Sequence, residues 1–105
     1  MGEPRIDVIF RKPANGRYAD VFAIFPSIPH DIHGCYVTVY AHIGQHSGGS
    51  IPVMMSQSVP AQPQEYAPLK RELEDVVGYR LRVVTKVTKE HRRQLLRELQ
   101  RIRSS

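Results

Sequence analysis

The sequence predicts an α+β domain: a small mixed, mostly antiparallel sheet of three to five strands with two helices packed on one face. Three observations predict it. Apolar residues alternate with period two over Cys35–Ile43 and Tyr79–Val87, as strands require. They recur at helical spacing in the stretches that end near Val77 and Ile102. Glycine and proline punctuate the chain between these segments. The element order is β-β-β-(β)-α-β-α. At 105 residues the chain makes one domain with one modest core.

Ile6–Lys12 is rich in β-branched and aromatic residues and reads as a strand. Asn15-Gly16 supplies the positive φ values of a tight turn. Asp20–Phe25 returns as a short, almost wholly apolar strand, which Pro26 and Pro29 end. Cys35–Ile43 places Cys35, Val37, Val39, Ala41 and Ile43 on one face and Tyr36, Thr38, Tyr40 and His42 on the other. Gly44–Ser50 reads as a flexible hairpin connection. Pro52 makes Ile51–Ser58 an edge or irregular strand. A helix follows from about Gln64 to Val77, with Pro63 near its start and Gly78 as a left-handed cap. Tyr79–Val87 is a strand, parallel to Cys35–Ile43 through a right-handed crossover. Thr88 caps a last helix spanning about residues 88–103.

Charge is distributed unevenly. Residues 79–105 hold nine Lys/Arg against Glu90 and Glu98, a net of +7, whereas residues 1–78 are net −2. On the last helix Leu95, Leu96, Leu99 and Ile102 form the apolar side. Lys89, Arg93, Arg97 and Arg101 recur every four positions on another side. Burial of the leucines turns that row toward water, and Glu90 with Arg93 and Glu98 with Arg101 form only weak i,i+3 pairs. If the helices cover the Val37/Val39 face, Tyr36 and Tyr40 line the open face, joined there by Arg80, Arg82 and Lys86. Bases stack on such tyrosines while phosphates pair with the arginines. A Tyr/Arg face suits a protein interface as well.

His30, His33, His42 and His46 fall within seventeen residues, with Cys35 among them. Imidazole and thiolate bind zinc, but the spacing matches no metal motif, and Cys35 and His42 lean to opposite strand faces. Cys35, at the head of an apolar face, reads as a small hydrophobe rather than a nucleophile. No nucleophile, base and orienting group are spaced for catalysis, and no cofactor is implied.

The segments Phe25-Pro26-Ser27-Ile28-Pro29, Tyr40-Ala41-His42-Ile43-Gly44-Gln45-His46, Pro60-Ala61, Glu65 through Glu74 and Gly78-Tyr79-Arg80-Leu81-Arg82-Val83 carry a resemblance. The chain resembles a group of short uncharacterised bacterial proteins associated with plasmids, phages and other mobile elements. The likeness spans roughly residues 7–84 and implies a common fold and a similar genomic setting. It transfers no functional residue. The basic last helix lies outside it, as a lineage-specific addition.

A single cysteine excludes an intrachain disulfide and suits a reducing compartment. No apolar run approaches the roughly 20 residues of a membrane span, and Met1–Arg5 lacks a signal peptide's apolar stretch. The expectation is a cytoplasmic, non-enzymatic protein-interaction or self-assembling module, whose partner is itself or another protein and not a membrane. The alternative is a nucleic-acid-binding accessory protein that uses Arg80, Arg82, Lys89, Arg93, Arg97 and Arg101 with Tyr36 and Tyr40. The second alternative is metal binding by His30, His33, His42 and His46.

Overall fold

Ile6–Pro13 forms β1, the strand about which the sheet is organised. The computed structural model describes residues 5–14, 21–41 and 45–104; the Asn15-Gly16 turn, Asp20 and His42 lie outside them. β2 (Phe22–Pro29) pairs antiparallel with β1, β3 (Val37–Ala41) with β2, and β4 (Gln45–Gly49) with β3. Helix α1 (Ile51–Ser56) and the short β5 (Ser58–Pro60) follow. Helix α2 (Pro63–Glu72) continues as a π-helical turn over Leu73–Val77 and stops at Gly78, whose φ is 93°. β6 (Leu81–Val83) and α3 (Lys89–Ser104) complete the chain. The mixed, mostly antiparallel α+β architecture is therefore the one predicted, with six strands and a third helix among the described residues.

β5 and β6 share the outer edge of β1. β5 pairs antiparallel with Arg11–Pro13, while β6 runs parallel beside Ile6–Val8. The parallel partner of β6 is thus β1 and not the Cys35–Ile43 strand. β3 has no free edge to offer, because β2 and β4 occupy both its sides.

The helices do not share one face. Val8, Phe10, Ala23, Phe25 and Tyr40 pack with Leu69 and Leu73 of the α2 region. Ile9, Ile24 and Val37 pack with Leu95 and Leu99 of α3 on the opposite side. The reason lies in β1 and β2, which are apolar on both faces. One covered face would leave Ile9 and Ile24 in water, at about 1.5–3 kcal/mol each.

Three local expectations change. β2 passes through Pro26 and Pro29 by means of an irregularity between Phe25 and Pro29, where the register with β3 shifts. Gln45–Gly49 is an edge strand rather than a flexible loop. A Cβ on Gly48 would meet the His30 ring at 2.3 Å, so the missing side chain is what admits the imidazole. Ile51–Ser56 is a helix, since proline is tolerated in a first turn. Arg11 holds the end of that helix, its Nη2 donating to the Met55 carbonyl at 3.1 Å, where a cation meets the negative end of the helix dipole. Its Nε donates to Ser58 Oγ at 2.9 Å.

Candidate functional site

α3 is anchored by His91, Leu95 and Leu99, which are spaced four apart and buried. The outward row follows from that anchor: Lys89, Arg93, Arg97 and Arg101 are all exposed. Leu96, expected on the buried side, is 53% exposed, and Ile102 is also exposed. Helical pitch explains the first, because Leu96 sits about 100° from Leu95 and so turns off the buried stripe. Arg93 pairs with Glu90 at 3.3 Å and Arg101 with Glu98, as the i,i+3 spacing predicts. These pairs are in water and contribute little. Among the described residues Lys89 and Arg97 make no ion pair.

The other predicted site residues are dispersed. Tyr40 is 1% exposed and donates from its hydroxyl to the Glu72 carboxylate beneath α2. The open Tyr/Arg sheet face does not exist, because α2 covers it. Tyr36 is exposed but precedes β3, in a loop organised by Asp31, whose Oδ1 accepts from the Gly34 and Tyr36 amides. Arg80 is exposed on the chain entering β6. Arg82 lies on the α3 side of the sheet, not beside Tyr40. Of the histidines, His30 rests against Gly48 and His33 is exposed in the loop. His46 lies in β4 opposite Tyr40. Among the described residues no three His, Cys, Asp or Glu side chains gather closely enough to hold a metal. Cys35 is an exposed loop residue and not the head of a strand face.

The structure instead assembles a network that sequence periodicity did not single out. Asp7 faces α3 from β1. Its Oδ1 accepts from Arg82 Nε at 2.7 Å and its Oδ2 from Arg82 Nη2 at 2.7 Å. His91 Nε2 lies 2.7 Å from Asp7 Oδ2. The Thr88 amide donates to His91 Nδ1 at 3.0 Å, while Thr88 Oγ1 accepts from the His91 amide at 3.3 Å. This is a capping box with histidine in the place usually held by Glu or Gln. An amide can only donate, so Nδ1 is the accepting nitrogen and Nε2 carries the hydrogen given to Asp7. Both ring nitrogens are thereby engaged, and neither offers a lone pair for proton abstraction. The Arg82 fork holds the Asp7 carboxyl below its usual range; burial opposes it, and His91 adds to it. Asp7 in turn raises Arg82. The legible signals were His91 on the Leu95/Leu99 stripe, three residues after Thr88, and Asp7 sharing a strand face with Ile9.

A cleft of about 640 Å³ opens beside this network between the start of β1, Ser27–Ile28 of β2 and Gln94 of α3. No helix among the described residues is long and apolar enough to cross a membrane. No family model matches this chain, and no curated protein or solved structure is similar enough to it to stand as a relative.

Proposed function

We propose that this protein binds the phosphate backbone of duplex nucleic acid through the outward face of α3. The observation that carries the reading is the anchoring of that helix by His91, Leu95 and Leu99, which turns four regularly spaced cations into water. Successive members of the row are about 6 Å apart along the axis, on a helix of a width that a major groove admits. Base stacking on a single strand needs several rings at the surface, and few are offered. Tyr40 is in the core, Tyr66 stacks on Phe10 at 4.5 Å, and Tyr79 lies against Phe25, which leaves Tyr36 as the exposed tyrosine among the described residues. The row of cations on α3 therefore supports a duplex over a single strand. Recognition is therefore of charge and spacing rather than sequence, binding rather than catalysis, in a reducing intracellular compartment that suits the exposed thiol of Cys35.

The test is a fluorescence-anisotropy titration of a 20-base-pair duplex at several salt concentrations. Log affinity should fall linearly with log salt, with a slope of roughly −3.6 if four phosphates are neutralised. The Arg93→Ala/Arg97→Ala/Arg101→Ala variant should flatten that slope by roughly 2.7. Absence of binding at low salt overturns the reading.

A second reading rests on β4, which among the described residues terminates the sheet and pairs with β3 alone. An unpaired edge is a template for strand addition by a second copy. Light scattering at high protein concentration should then give twice the monomer mass of 12.0 kDa; a monomer removes this reading.

A further inference from the structure

We propose that the cleft beneath α3 takes a phosphomonoester group, held by the Arg82 N–H bonds that Asp7 leaves free. The cleft has a local cause. β1 and β2 are registered over Ile9–Arg11. Toward Asp7, β2 presents Pro26, which lacks an N–H, and then the irregular stretch before Pro29. The two strands part there, and the opening is roofed by Gln94 and Glu98 of α3.

Asp7 grips Nε–H and one Nη2–H of Arg82 in a fork. A guanidinium has five N–H bonds, so both Nη1 hydrogens and the second on Nη2 remain. The side chain is 63% exposed, and Asp7 fixes its plane. A positioned arginine binds phosphate oxygens with less ordering cost than a free one. Arg5, Ser27 and Gln94, each with a hydrogen-bond donor in its side chain, line the same space. Of the acids nearby, Asp7 is covered by Arg82 and His91, and Glu98 is paired with Arg101. The adjoining hollow on the other side of Arg82 adds Lys86, and its Glu90 is paired with Arg93. A backbone diester carries substituents on both sides and belongs on the convex helix face. A terminal phosphate, with one ester link, enters a concave site. Its source is either a free mononucleotide or the phosphorylated end of a duplex; only the second source rests on the reading of α3 given above.

The experiment uses the full chain labelled with ¹⁵N. Titration with 5′-AMP should move the Arg82 Nε–H and Gln94 side-chain resonances saturably. Arg82→Lys keeps a cation beside Asp7 but has no fork, and should weaken 5′-AMP binding roughly tenfold. Arg5→Ala, at an exposed position, should weaken it in part and guards against a folding defect in the first variant. A 5′-phosphorylated duplex that binds more tightly than its 5′-hydroxyl counterpart, with the difference lost in Arg82→Lys, assigns the nucleic-acid end as the source. Equal binding of the two duplexes, with 5′-AMP still moving Arg82, assigns the free mononucleotide. Unmoved Arg82 and Gln94 resonances overturn this site and leave the duplex reading standing. A duplex that does not bind, while 5′-AMP moves Arg82, overturns the duplex reading and leaves this site.

Discussion

Leu99→Ala should destabilise the protein by about 3 kcal/mol and weaken the duplex binding proposed for α3 without removing a single charge. Leu99 is 3% exposed and packs with Ile9, Ile24, Val37 and Leu95. It also fills the space above Gly34, whose φ is 79°: a Cβ there would stand 2.7 Å from Leu99 Cδ1. That glycine closes the loop in which Arg103 Nε donates to the Ile32 carbonyl at 2.8 Å. Truncation therefore opens a cavity where α3, the sheet and the loop meet. Undocking of α3 removes the packing that holds it helical and orients Arg93, Arg97 and Arg101, so the proposed duplex affinity should fall together with amide protection in α3, as hydrogen exchange can measure. Leu96→Ala is the control. Its side chain is exposed, and the change should stay within about 0.5 kcal/mol. Equal effects of the two substitutions would contradict the anchoring of α3 described above.

Asp7→Ala should cost about 2–3 kcal/mol, most of it at His91. That ring is 3% exposed, and without Asp7 its Nε2–H has no acceptor. Arg82 is largely in water and is resolvated at little cost. The same substitution should change the acid limb of stability. The folded carboxyl of Asp7 titrates below its unfolded value, first because of the Arg82 hydrogen bond. Its contribution is fully present above the unfolded value of about 3.9 and is lost as pH falls through the lower, folded one. Urea unfolding at pH 7 and pH 3 should show a smaller difference for Asp7→Ala than for the unsubstituted chain. An unchanged difference between the two pH values would dismiss the network as a source of stability.

Much of the architecture was legible locally. The last helix, its Thr88 cap and its outward cations follow from spacing alone, because a helix repeats every 3.6 residues whatever it packs on. The same holds for Pro63 at the start of α2 and Gly78 at its end. Sidedness was harder to read. The fully apolar run of Phe22–Phe25 already signals a strand buried on both faces, yet alternation in Cys35–Ile43 reads as a half-wet strand. Tyr40 accounts for the discrepancy: its ring is buried under α2, and its hydroxyl finds Glu72.

Local spacing, then, determined which residues share a face, where the helices begin and end, and where positive charge accumulates. Only the tertiary structure decided what covers each face. It placed α2 and α3 on opposite sides, gave β6 to β1, and brought Asp7 to Arg82 across 75 residues and to His91 across 84. The physical reason is range. Periodicity is enforced by bonds between near neighbours, whereas the partner of a strand edge or a buried carboxylate is chosen by which distant surface remains free once the other strands have paired.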